Sequence, residues 1–206
     1  MRTKYILPNE IDKIRHELHQ EDWLPLWIAQ DTGMRIGDIL ELKVENIDAG
    51  IIRYRAKKTG KDAEVSVQGA LQRALSAKAE LEYQNRARKD VWLFPSPRDR
   101  RKHLTRQAVW WRVKHACKEA GLDPKGIAPH SFRKFFAVEL FKREGLAAVQ
   151  QALQHDRPST TEIYALSDFT SGEAAFEPLL RRDLPVIVQE VLAALDGHEL
   201  RTARQN

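Results

Sequence analysis

Ile51-Ile52-Arg53-Tyr54-Arg55-Ala56-Lys57-Lys58-Thr59-Gly60-Lys61-Asp62-Ala63-Glu64-Val65-Ser66-Val67 is the stretch where this chain reads as strand and not as helix. Ile51 to Arg55 and Glu64 to Val67 are rich in β-branched and aromatic residues, and the turn-prone Lys58-Thr59-Gly60-Lys61 lies between them. The reading predicts a β-hairpin, with a third short strand near Val44 to Ile47. Outward from it the period changes to that of helices. On the N-terminal side Ile11, Ile14 and Leu18 recur at three- and four-residue spacing, and Trp23 to Gln30 is a second apolar stretch. Thr32-Gly33 breaks it before a short helix over Ile36 to Leu42. On the C-terminal side Gln68 to about Arg88 is rich in good helix formers. A basic loop follows from Pro95 to Lys102, then a helix capped by Thr105, running to about Ala120 and closed by Gly121. Further helices are expected at about 131–144, 146–154, 158–165 and 185–196. The fold class expected is therefore mainly α with a small antiparallel β-sheet, in one domain.

Composition narrows the function classes. Of the 206 residues, 42% are hydrophobic and 31% charged, which suits a folded globular chain and not a disordered one. No apolar run approaches the roughly 18 residues that span a bilayer. Met1-Arg2-Thr3-Lys4-Tyr5 has no apolar signal region. Cys117 is a lone cysteine, so neither an internal disulfide nor a cysteine metal site is expected. These features point to a reducing, cytoplasmic compartment and no membrane. Charge is unevenly spread: six basic residues face ten acidic ones over 1–50, 23 face 10 over 51–145, and five face nine over 146–206. A basic middle between acidic ends predicts a surface for a polyanion.

Four segments hold the residue types that phosphate chemistry uses. Thr32-Gly33-Met34-Arg35 places an arginine just after a glycine break, with Asp38 three residues on to brace it. Lys57-Lys58-Thr59-Gly60-Lys61 is the hairpin tip, and Gly60 permits the tight turn. His130 and Arg133 stand at i and i+3, so a helix there would direct both at one oxyanion. Leu153-Gln154-His155 is followed, across a proline, by Ser159-Thr160-Thr161-Glu162-Ile163-Tyr164. Taken singly, each has an ordinary reading as surface charge, turn or half-buried aromatic.

Taken in order, these segments resemble the tyrosine recombinases, the phage-integrase family. That family shows a TG-x-R box, a hairpin lysine often written KTG, an H-x-x-R box, and LGH followed by STT-x-x-Y. Leu93-Phe94-Pro95-Ser96 and the basic helix after it resemble the family too, and the likeness spans about residues 8–166. Two positions depart from it: Gln154 stands where a glycine is usual, and Asp38 where glutamate is commoner.

The resemblance implies a tyrosine-recombinase catalytic domain over 1–182, followed over 183–206 by an amphipathic helix and tail. That helix either docks on a neighbouring protomer or packs on its own domain. Tyr164 would be the nucleophile, leaving a 3′-phosphotyrosine. Arg35 and Arg133 would hold the non-bridging oxygens, and Lys58 would protonate the departing 5′-oxygen. His130 and His155 would bind the phosphate and assist proton transfer. No metal, ATP or other cofactor is implied. Lys57, Lys61, Arg98, Arg100, Arg101, Lys102, Arg106, Arg112 and Lys114 are the expected DNA-binding residues, with Lys118 beside them. The implied partners are double-stranded DNA at a specific site, three further protomers at a synapse, and accessory DNA-bending proteins. Without DNA a monomer or weak oligomer is expected, and in the cell a cytoplasmic, nucleoid-associated enzyme. A core-binding domain, usual before the catalytic domain, is absent from the 206 residues. Rival readings are a type IB topoisomerase-like or telomere-resolving enzyme, and a DNA-binding regulator that has lost the reaction.

Overall fold

The computed structural model describes residues 3–153, and the helices expected beyond them, the 182/183 boundary, His155 and Tyr164 lie outside that range. Six helices and three strands follow one another: α1 (Pro8–Glu17), α2 (Gln20–Thr32), α3 (Ile36–Leu40), β1 (Ile47–Asp48), β2 (Ile51–Arg55), β3 (Asp62–Ser66), α4 (Gly69–Arg86), α5 (Arg106–Glu119) and α6 (Pro129–Ala152). Val44–Asn46 is a single 3₁₀ turn leading into β1, so the third strand exists but starts later than expected.

Central to the packing is α2. Trp23, Leu24, Pro25, Leu26, Ile28, Ala29 and Thr32 are all buried, so the helix has no wide polar face and must be enclosed. Its most extensive partner is α6. There the Trp23 and Phe132 rings meet edge to face at 5.8 Å between centroids. One core runs from Ile6 through α2, α3, the sheet, α4 and α5 to Phe132. A second, smaller cluster joins Ala137 and Leu140 to Val149 and Leu153.

The sheet is antiparallel in the order β1-β2-β3, with Ile52 opposite Val65, Tyr54 opposite Ala63 and Arg55 opposite Asp62. Strand period puts Ile52, Tyr54 and Ala63 on the inner face. Arg53 lies on the outer face and donates to Glu64 directly opposite at 2.7 Å and to Asp48 at 3.0 Å.

Local chemistry explains the helix ends. Glu10 accepts from the Leu7 N–H at 2.9 Å at the start of α1, and Thr105 Oγ1 accepts from the Ala108 N–H at 3.1 Å at the start of α5. Pro129 opens α6, where its fixed φ suits a first helical position. The two helices expected at 131–144 and 146–154 form one element broken at Gly145, whose φ of 79° and ψ of −176° only glycine readily adopts. Among the described residues no helix is long and apolar enough to cross a membrane.

Candidate active site

The junction between α2 and α3 builds the site. Thr32 Oγ1 donates to the Ile28 carbonyl at 2.5 Å and accepts from the Met34 N–H at 3.2 Å, closing the end of α2. Gly33 then turns the chain at φ 68°, ψ 9°, with its N–H on the Ala29 carbonyl. Met34 is buried as an anchor, and Arg35 emerges half-buried as the N-cap of α3.

This junction is also where α6 docks. The Arg133 guanidinium donates through Nη1 to the carbonyl of Gly33, 100 residues earlier. A Cβ on Gly33 would lie 2.4 Å from Phe136 Cδ1 and 2.8 Å from Leu153 Cδ2, so α6 approaches as closely as a glycine permits. Arg133 is 5% exposed, and His130 lies one turn before it, half-buried in the first turn of the same helix. Ser131 secures that turn by accepting from the Ala128 N–H at 3.2 Å.

The sheet adds the other wall. Burial pushes the Tyr54 phenol above its ordinary value, the Asp38 carboxylate pushes the same way, and the Arg133 and Arg35 guanidinium groups oppose them. Asp38, Arg35 and Arg133 therefore all lie near enough to act on the Tyr54 phenol through their charges. Asp38 is 6% exposed; its Oδ1 accepts from the Lys57 N–H at 3.3 Å, and its Oδ2 is a buried atom with no hydrogen-bond partner among the described residues. Asp38 thus braces the β2–β3 loop. That loop turns through Gly60 at φ 68°, with the Gly60 N–H on the Ala56 carbonyl at 2.7 Å. Lys58 is exposed on it. Beside it Lys57 is ion-paired to Glu41.

Of the expected DNA-binding residues, Lys57, Lys61, Arg98, Arg100, Arg101, Lys102 and Arg106 are exposed, as is Lys118. Arg106 reaches the site's border, since its Cδ is 3.5 Å from where a Cβ on Gly37 would stand. Arg100 is tied to Glu82, a buried carboxylate that Lys78 also contacts at 2.9 Å. Two of the group are engaged within the fold. Lys114 is 9% exposed, donates to the Pro124 carbonyl and lies 5.2 Å above the Trp110 ring. Arg112 is half-buried and pairs with Asp22 at 2.5 Å. Trp111, next to the half-buried Trp110, is exposed.

Tyr54, Glu41 and His103 were not among the expected site residues. Strand alternation was the available signal for Tyr54, because it shares a face with the buried Ile52. For Glu41 and His103 no local pattern existed; their Oε1–Nε2 approach of 3.7 Å comes from chain folding alone.

Known proteins identify the family and the fold. The model of the phage integrase family matches residues 4–171. Tyrosine recombinase XerD of Haemophilus ducreyi is 32% identical over 167 residues, covering 76% of this chain and 52% of that protein. XerD of Pseudomonas putida is 34% identical over 155 residues, covering 70% and 49%. The chain thus spans about half the length of the curated relatives it matches. A crystal structure of XerA recombinase superposes with a TM-score of 0.69 at 23% identity, covering 89% of this chain and 64% of that one. XerH recombinase in a post-cleavage complex with its palindromic difH substrate gives 0.66 at 24%, covering 85% and 53%. The fold is that of a tyrosine recombinase catalytic domain. This chain belongs to the phage integrase family, the tyrosine recombinases.

Proposed function

We propose that the chain is the catalytic part of a site-specific recombinase that cleaves and rejoins duplex DNA through a 3′-phosphotyrosyl bond at Tyr164. The observation that carries this is the bond from the Arg133 guanidinium to the Gly33 carbonyl, which docks α6 on the junction from which Arg35 emerges two residues later. Two arginines drawn to one junction are suited to a phosphate that gains charge in its transition state. In the proposed step the Tyr164 oxygen forms the new bond to phosphorus and the bond to the 5′-oxygen breaks. The phenolic proton leaves through a histidine, His130 or His155, and Lys58 gives a proton to the 5′-oxygen. Bond energy is kept in the phosphotyrosine, so rejoining by a DNA hydroxyl needs no ATP. The arginines offset the charge, so the reading assigns no task to a metal.

Exposed cations on the loop from Arg98 to Lys102, on Arg106 and on the hairpin would hold the DNA backbone on either side of the site. A lambda integrase tetramer bound to a Holliday junction is among the structures with this fold, at a TM-score of 0.61. A tetramer on DNA is the assembly proposed here, working in the cytoplasm on the nucleoid.

The test is a nicked duplex whose core is selected from a randomised pool by covalent capture, run on a denaturing gel with a chelator present. A protein–DNA band is expected. DNA binding in a shift assay with no covalent band under any condition would favour a regulator that has lost the reaction.

The burial of Lys114 gives a second expected result. Lys114→Met should lower stability by about 1–3 kcal/mol, the usual range for a charged hydrogen bond lost from the interior. It should leave the salt dependence of DNA binding unchanged, whereas Lys102→Ala should reduce the slope of log K against log salt by about one. Denaturant unfolding and a salt titration check both. A lower slope for Lys114→Met would return that lysine to the DNA surface.

A further inference from the structure

The β2–β3 loop presents neighbouring lysines, and the fold treats two of them differently. Lys57 is held at both ends by one short helix: its N–H donates to Asp38 Oδ1 at 3.3 Å, and its ammonium is ion-paired to Glu41. Asp38 lies in α3 and Glu41 caps it, three residues on, so both carboxylates project from one side of that helix. Lys58, the next residue, is exposed at the turn. Glu41 has a second attachment. Its Oε1 lies 3.7 Å from His103 Nε2, and the His103 Nδ1 is 2.7 Å from the Leu104 carbonyl, just ahead of α5. Arg35 caps the N-terminus of the same α3. A five-residue helix therefore connects the phosphate-binding arginine at one end to the lysine loop at the other.

We infer that Glu41 is a positioning residue: by holding Lys57, it aims the β2–β3 loop so that Lys58 is the lysine presented to the departing 5′-oxygen. The inference rests on the proposed role of Lys58. Lys57 and Lys58 lie in the turn whose Ala56 carbonyl accepts from the Thr59 and Gly60 N–H groups. One residue of such a helical turn rotates the side chain by about 100°, so pinning Lys57 toward α3 swings Lys58 aside from α3 to its exposed position, where DNA would lie. Loss of the pin lets the loop wander, and displacement of an acid by about 1 Å can cost on the order of 100-fold in rate.

The test compares two nicked duplexes of the captured sequence, one with the natural 5′-oxygen at the scissile position and one with sulfur in its place. A thiolate leaves without an acid, so a defect in proton delivery disappears on the sulfur duplex. Single-turnover cleavage by Glu41→Gln and Lys57→Met is expected to be about 10- to 100-fold slower on oxygen and close to the parent on sulfur. Glu41→Asp should recover part of the rate. DNA affinity and the melting curve of Glu41→Gln should stay close to the parent, since the replacement is isosteric and the half-buried Glu41 side chain keeps its place. Lys58→Met should show the same pattern with a larger loss.

Outcomes separate the inference from the reading beneath it. If Lys58→Met is rescued by sulfur while Glu41→Gln is either as fast as the parent on oxygen or equally slow on both duplexes, the positioning role is wrong and Lys58 remains the acid. If Lys57→Met is rescued from the larger loss and Lys58→Met is unimpaired, Lys57 is the acid and the inference is overturned. If Lys58→Met is equally slow on both duplexes, or the parent yields no covalent band, the reading itself falls and takes the inference with it.

Discussion

Tyr164→Phe is expected to bind DNA as the parent does and to form no covalent adduct, with a rate loss on the order of 10⁴-fold or more, as for removal of other enzymic nucleophiles. A phenyl ring has no oxygen to place on phosphorus, and water held by the same two arginines is a poor substitute because it conserves no bond for rejoining. The control is Tyr54→Phe. Tyr54 is the tyrosine that stands among Arg35, Arg133 and Asp38, yet burial and the Asp38 charge keep its phenol protonated. No hydrogen bond of its hydroxyl is among those of the described residues. Its loss is therefore expected to change stability by less than about 1 kcal/mol, the scale of one neutral hydrogen bond, and to leave the covalent band in place. Loss of the band with Tyr54→Phe and its retention with Tyr164→Phe would exchange the two assignments. A denaturing gel of the nicked-duplex reaction reads both.

Gly33→Ala is expected to destabilise the fold by about 2–4 kcal/mol, combining the left-handed backbone penalty with overpacking against α6. The added methyl would overlap the Phe136 ring and a Leu153 methyl, at 2.4 and 2.8 Å. Gly60 isolates the two contributions. It has the same φ of 68° but nothing within 4 Å of its would-be Cβ, so Gly60→Ala should cost only about 1–2 kcal/mol. Urea unfolding of the two variants measures the difference. Equal midpoints would mean that α6 does not press on Gly33. Because Arg133 reaches the carbonyl of the same glycine, the activity of Gly33→Ala should fall further than its folded fraction does.

Legibility in the sequence followed the range of the forces involved. The hairpin was legible because strand alternation and turn chemistry are local, and the inner face of Ile52 and Tyr54 follows from that alternation. Gly145 was legible as an interruption between two helical patterns. Arg35, His130 and Arg133 were read by their order and spacing, and the structure brings Arg133 to the carbonyl of Gly33, two residues before Arg35. Lys114 was not legible as a buried cation. Helical period places it beside Val113 and one turn after Trp110, but the Pro124 carbonyl that receives its ammonium comes from the chain turning back after α5. Arg112 was read as surface charge because its partner, Asp22, is 90 residues away. Glu41 escaped for the same reason: nothing in a sequence marks a carboxylate at a helix end that meets a lysine 16 residues on, in the β2–β3 loop.

The bond from Arg133 to the Gly33 carbonyl has a further consequence. A free arginine side chain has about 2 kcal/mol of rotamer entropy to surrender when it grips a ligand. In this fold that freedom is surrendered during folding, together with the docking of α6, before any DNA arrives. On the proposed reading the phosphate meets a guanidinium already immobile, and its own descent into place is the remaining disorder to be lost. A seated duplex supplies that order through its many backbone contacts. A small oxyanion in solution does not, so the site should discriminate for phosphates embedded in a rigid double helix without reading a single base.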